Sequence, residues 1–210
     1  MALKILAISD LHGNSEFEIP KDVELILVAG DIMPYAPGYQ AEEVLEGKKV
    51  IEHLKDSGKP VILVSGNVDY PEEIERMCED SNITFVPYGK VEFQDYKIIA
   101  FSYGLSYEEI KSFSKELFDE NDSKTILLTH APPLDTSTDR VLTGEHVGEL
   151  AYREIIEEHQ PILHVCGHIH EAQGKDKIGK ATVVNCGYGK EGQAALIELN
   201  DKTLKVRFVK

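Results

Sequence analysis

Apolar residues along the chain fall into two patterns. Short runs rich in β-branched residues predict buried strands at residues 3–9, 25–29, 61–65, 97–101, 125–129, 162–166 and 181–185. Between them, apolar residues recurring every three or four positions predict helices over 41–57, 72–79, 107–118 and 145–158. Strands alternating with helices argue for an α/β fold. The C-terminus reads differently: runs over 194–200 and 203–209, joined by Asp201 and Lys202, predict a hairpin. A hairpin added to a parallel core implies a mixed sheet, or two sheets. Ile110, Phe113, Leu117 and Phe118 fall near one face of the helix over 107–118, a face for docking on the core. The sequence shows no linker, repeat or low-complexity segment, so residues 1–210 are expected to form one domain.

Composition narrows the partners. The 210 residues are 42% hydrophobic and 28% charged, an ordinary globular balance that excludes wholesale disorder. Lysine plus arginine is 22 and aspartate plus glutamate 37, a formal charge of −15. Such a surface repels a phosphate backbone and an anionic membrane, so neither bulk nucleic acid nor a membrane is an expected partner. A bound metal can reverse the field locally, so one phosphate group remains admissible. Cys78, Cys166 and Cys186 have no Cys-x-x-Cys spacing and read as small buried thiols. Residues 1–10 lack the pattern of a secretory signal, no apolar run approaches a membrane span, and a cytoplasmic protein is expected.

The chemistry follows the strands. The first predicted strand is followed by Asp10-Leu11-His12-Gly13, the second by Gly30-Asp31 and the third by Gly66-Asn67-Val68-Asp69. His130-Ala131-Pro132-Pro133 follows the strand over 125–129, and Gly167-His168-Ile169-His170 the strand over 162–166. Open α/β sheets bind ligands beyond the carboxyl ends of their strands. Asp10, His12, Asp31, Asn67, His130, His168 and His170 are thus expected at one such edge, as metal ligands. Two carboxylates, an amide and four imidazoles suit divalent Mn, Fe, Co, Ni or Zn, and fit Cu(I) or Ca poorly. Seven donors exceed one tetrahedral ion, whereas two ions sharing a bridging carboxylate would use them all. The remaining histidines, His53, His159 and His164, read as surface or packing residues.

In this order the motifs resemble the calcineurin-like metallophosphoesterase superfamily: D-x-H, G-D, G-N-H-[DE], a histidine in a later loop, then G-H-x-H. The match spans Asp10 to His170. The short chain, the Thr129-His130-Ala131-Pro132-Pro133 segment and the later Gly144-Glu145-His146-Val147-Gly148 segment are most similar to the small prokaryotic phosphodiesterases. The resemblance implies a four-layer α/β/β/α sandwich with two mixed β-sheets. It also implies one metal on Asp10, His12, Asp31 and His170, and a second on Asp31, Asn67, His130 and His168, with Asp31 as the bridge. Manganese is the first expectation, with iron, nickel, cobalt or zinc as alternatives. The implied reaction is hydrolysis of a small phosphate ester, a diester before a monoester, by a hydroxide held between the ions.

One position departs from the family pattern. The histidine that follows the asparagine, and that contacts phosphate or protonates the leaving group in the family, is Val68 here. Asp69, a candidate catalytic residue with Asp31 and Asn67, keeps the place of the acidic residue that orients it. Such an acid contributes ~10²–10⁴-fold, so its loss slows a reaction with a poor leaving group more than one with a good one. His146, a candidate catalytic acid, and Arg140, a candidate phosphate contact, could substitute. The alternative is that His146 opens the helix predicted from Glu145 and Arg140 is solvated. Tyr35 and Tyr39, on the Pro-rich segment after Asp31, could stack on a base and favour a nucleotide-like substrate, or pack on the surface beneath them. The segment before Gly66, Val64-Ser65, lacks the arginine of the family's protein phosphatases, which disfavours a phosphoprotein substrate. A second function class is open: the small retromer subunit of eukaryotes has this fold, also lacks the histidine, and serves as a protein-binding scaffold. A homodimer rests on family analogy alone.

Overall fold

The computed structural model describes residues 2–35, 41–119, 124–200 and 202–210. The first of two six-stranded mixed sheets holds β1 (Leu3–Ile8), β2 (Leu25–Val28), β3 (Val61–Leu63), β4 (Ile83–Phe85), β11 (Ala194–Leu199) and β12 (Leu204–Val209), in the order β12-β11-β1-β2-β3-β4. The second holds β5 (Tyr88–Phe93), β6 (Tyr96–Phe101), β7 (Thr125–Thr129), β8 (Leu163–Cys166), β9 (Gly174–Ile178) and β10 (Ala181–Asn185), in the order β5-β6-β7-β8-β10-β9. Strands β1 to β4 run parallel, as do β6, β7, β8 and β10. The C-terminal hairpin joins the first sheet antiparallel to β1. Its turn residue Asp201 lies outside the described residues, as do Ala36, Pro37, Gly38 and Tyr39.

Three apolar cores set the layers. Ile5, Leu27 and Ile197 of the first sheet face Ile98, Leu128 and Val165 of the second. On the outer face of the first sheet, Leu6, Ile26 and Leu63 pack against Val50, Ile51 and Leu54 of α1 (Ala41–Asp56) and Ile74 of α2 (Pro71–Cys78). On the outer face of the second, Ile99, Leu127 and Val183 pack against Ile110 of α3 (Tyr107–Leu117) and Ile155 of α4 (Leu150–His159). The fold is a helix–sheet–sheet–helix sandwich. Because central strands are buried on both faces, they read as continuous apolar runs. No helix among the described residues is long and apolar enough to cross a membrane.

The three strands absent from the sequence reading, β4, β5 and β9, are all sheet edges. Edge strands are short or half exposed, so charged residues interrupt their apolar signal, as in the Gly-Lys-Asp-Lys-Ile of β9. The helix expected from Glu145 begins instead at Leu150, so His146 does not open it. Asp139 is the cause: its buried carboxylate accepts N–H groups from Asp135, Thr136 and Gly148, while Glu149 N donates to Pro132 O. These bonds frame a turn over 139–147, closed by a bridge between Arg140 and His146, in the place of a first helical turn.

The three packing histidines behave as expected. His53 donates to Phe17 O at 2.8 Å and His159 stacks on Phe118 at 4.3 Å. His164 is fully buried on β8 and donates from Nε2 to Thr129 Oγ1 at 2.7 Å. Burial pushes its pKa down to about 3 from 6.5. The folded state therefore holds this ring neutral while the unfolded chain takes up a proton, so its stabilisation is full above pH 6.5 and is lost as pH falls toward 3. Between about pH 7 and pH 4, wild-type protein should lose up to about 3 kcal/mol more unfolding free energy than His164→Gln. Denaturant titrations of both proteins at each pH check this; parallel losses would refute it.

Candidate metal centre

The carboxyl ends of β1, β2, β3, β7 and β8 meet at one edge of the sandwich. Backbone hydrogen bonds tie them together: Asp10 N to Gly30 O at 3.0 Å, His12 N to Asp31 O at 2.9 Å and Gly167 N to His130 O at 2.9 Å. Asp10, His12, Asp31 and His168 all have positive φ, between 43° and 69°. Non-glycine residues hold that region at a cost of ~1–3 kcal/mol each, and only where the surroundings over-determine them. The strain turns four side chains toward one point.

All seven residues expected as ligands are brought together. Asp10 Oδ1 lies 3.2 Å from His170 Nε2 and 4.0 Å from His12 Nε2, and the two imidazole nitrogens are 3.4 Å apart. In a second group, His130 Nε2 lies 3.0 Å from Asn67 Oδ1 and 3.1 Å from His168 Nδ1. One atom joins the groups: Asp31 Oδ2 is 3.8 Å from His12 Nε2 and 3.4 Å from His130 Nε2.

The donor set fits divalent cations. His12 donates Nδ1–H to Met33 O at 3.1 Å and His130 donates Nδ1–H to Ala29 O at 2.7 Å. Each ring therefore turns an Nε2 lone pair into the cluster, the arrangement in which a backbone acceptor fixes a ligand's tautomer. Spacings of 3.0 to 3.8 Å are what donors ~2.0–2.2 Å from a shared ion span. The triads Asp10–His12–His170 and Asp10–Asp31–His130 each could hold a metal ion.

The electrostatics show the same demand for positive charge. Burial opposes the charged form of His130, but Asp31, by charge and by hydrogen bond, pushes its pKa up to about 9. Burial likewise opposes ionised Asp31, yet His130 and the Val68 N–H hold it below the ordinary carboxylate range. Burial lowers the pKa of His12 and of His168, while the hydrogen bond to Asp10 raises that of His170.

The other predicted residues are placed differently. Asp69 does not reach the reacting region, which corrects its expected catalytic part. Its Oδ2 accepts from Asp31 N and Gly66 N, both at 2.8 Å, and its Oδ1 from Met33 N at 3.0 Å. It is a positioning residue that clamps the Asp31 segment to the Asn67 segment. Burial, then the Asp31 charge, pushes its pKa up to about 7. A cavity of about 320 Å³ lies over the cluster, lined by Tyr35, Asn67, Val68, His168, Tyr188 and Lys190 among others. His146 and Arg140 are not among its lining residues, a second correction. His146 is held by Asp139 at 2.6 Å, and its Nε2 accepts from Arg140 at 3.3 Å, so His146 spends both ring nitrogens, and Arg140 one of its donors, on their own loop.

Two tyrosines at the site escaped the sequence reading. Tyr188 stacks on His170 at 4.2 Å, and Tyr103 lies 5.8 Å from the ring of His130. They follow β10 and β6, two strands past whose ends no aspartate or histidine marks the site. Applying the strand-end rule to every strand would have found both.

A family model for calcineurin-like phosphoesterases matches residues 3–172 of this sequence. The chain belongs to that family. Calcineurin-like phosphoesterases are phosphoric ester hydrolases, and the Asp/His clusters provide for the metal dependence of the class. An uncharacterized protein of Methanocaldococcus jannaschii is 30% identical over 202 residues, 87% of each chain. A probable cyclic nucleotide phosphodiesterase of Synechococcus is 25% identical over 221 residues, 89% of this chain and 80% of its own. The crystal structure of TT1561 of Thermus thermophilus superposes with a TM-score of 0.72 at 16% identity, covering 100% of both chains, and supports the fold.

Proposed function

We propose that this calcineurin-like phosphoesterase hydrolyses small phosphodiesters with two divalent ions, as one domain spanning the chain. Asp10, His12, Asp31 and His170 would hold one ion, and Asp31, Asn67, His130 and His168 the other. The observation that carries the reading is Asp31 Oδ2, the atom shared by two donor groups. Such an ion pair supplies activation of water near neutral pH and neutralisation of phosphoryl charge. The chain's own part is positional. Asp69 fixes the spacing of the Asp31 and Asn67 segments, and His170 is braced by Tyr188. Asn67 also lines the cavity, where its amide can contact a phosphoryl oxygen. Tyr35, 77% exposed, and Tyr188 offer faces on which a nucleobase can stack. The relative named as a probable cyclic nucleotide phosphodiesterase supports a nucleotide-like ester. Val68 presents no proton donor, which favours substrates with good leaving groups.

The test strips the protein of metal and adds back Mn²⁺, with an activated aryl phosphodiester and the matching monoester in parallel. Turnover should require the metal and favour the diester. No turnover of either ester with manganese, iron, cobalt, nickel or zinc would overturn the reading in favour of a scaffold.

A further inference from the structure

We propose that Lys190 binds a non-bridging oxygen of the phosphoryl group, an assignment that rests on the phosphoesterase reading above. Imidazoles aside, Lys190 is the one basic side chain lining the cavity over the cluster among the described residues. Its backbone is fixed to the site. Lys190 N donates to Asp10 O at 2.9 Å, and Gly189 N to Ser9 O at 3.0 Å. Asn14 Nδ2 donates to Gly189 O at 2.9 Å, and Tyr188 is stacked on His170. The turn that carries Lys190 is thereby anchored on the strand end that carries Asp10, so the ammonium is delivered by the same framework as the cluster.

Its charge is unclaimed. The neighbouring carboxylate, Glu191, pairs with Lys210 at 3.1 Å, and among the described residues no acidic side chain lies within ion-pair distance of Lys190. In a chain of net charge −15, a lysine left free at the rim of a metal-binding cavity awaits an anion from outside. The facing wall explains the need. The Val68 side chain supplies neither charge nor hydrogen bond, so the cationic contact comes from the segment after β10. An ammonium makes charge-assisted bonds, roughly twice as strong as neutral ones, and draws an anion across an otherwise repelling surface.

Lys190→Ala and Lys190→Arg, loaded with Mn²⁺, are compared with wild type in diester hydrolysis and in calorimetric titration with inorganic phosphate. Loss of one charged hydrogen bond corresponds to about a tenfold or greater rise in KM and in phosphate Kd for Lys190→Ala. Lys190→Arg should recover most of both, and manganese affinity should stay at the wild-type value in each variant. Wild-type turnover with both constants of Lys190→Ala within about twofold of wild type would overturn the assignment and leave the phosphoesterase reading intact. A matching fall in manganese affinity would also overturn it, by showing a structural role. If wild type hydrolyses nothing but binds phosphate in a Lys190-dependent way, the assignment stands and the phosphoesterase reading falls. Absence of both turnover and phosphate binding would sink the two together.

Discussion

Asp31→Asn should lower metal-dependent turnover by on the order of 10³-fold or more, the largest effect of any conservative change at this site. Asparagine keeps the shape of the side chain and the acceptor for Val68 N, which bonds to Oδ1 at 3.0 Å. What disappears is the charge at Oδ2, between His12 and His130. The new amide can donate to the Nε2 of either ring, so no buried group is orphaned and the fold should survive. Without that charge His130 also loses the main cause of its raised pKa. Metal titration should then show weakened binding at both positions, since the residue belongs to both donor groups. A variant that bound metal and turned over at more than about a tenth of the wild-type rate would refute Asp31 as the bridge.

Gly66→Ala should destabilise the protein by several kcal/mol, at the upper end of what one added methyl does in a packed interior. An added Cβ would collide with the Asp31 carboxylate and stand 2.6 Å from Asp31 N. Neither can retreat: Asp31 N and Gly66 N share Asp69 Oδ2, and Asp31 Oδ1 holds Val68 N. Relief requires parting the β2 and β3 ends, which moves Asn67 away from His130. Thermal unfolding and manganese titration should therefore fall together. A drop in melting temperature with unchanged metal affinity would show that the clash relaxes away from the cluster. Gly167 has the same part on the other side, where a Cβ would strike Ser9 Oγ and Asp10 Oδ2.

The central strands, the helices with clean apolar faces and the C-terminal hairpin were legible because burial on one or both faces writes a periodic signal into the sequence. Edge strands such as β5 and β9 were not, since half their side chains face solvent and obey no apolar rule. The start of α4 was missed for another reason: Asp139, well upstream of it, captures the Gly148 N–H that local propensity assigns to a helix. That is a tertiary effect on a local preference.

At the site, the seven candidate donors were legible in the sequence, because aspartate and histidine placed just past glycine-flanked strand ends have few other uses in that order. It also fixed the absence of a proton donor at Val68. Only the tertiary structure decided which of these groups lie within 3 to 4 Å of one another, that Asp69 clamps backbone and that His146 and Arg140 turn to their own loop. It alone brought Tyr103 beside His130, and Tyr188 and Lys190 to the cavity. Residue types carry the capacity to bind a cation, but the 3.2 Å from Asp10 to His170 and the 3.4 Å from His12 to His170, across about 160 residues, depend on how two sheets pack, and that packing is set by the apolar core as a whole.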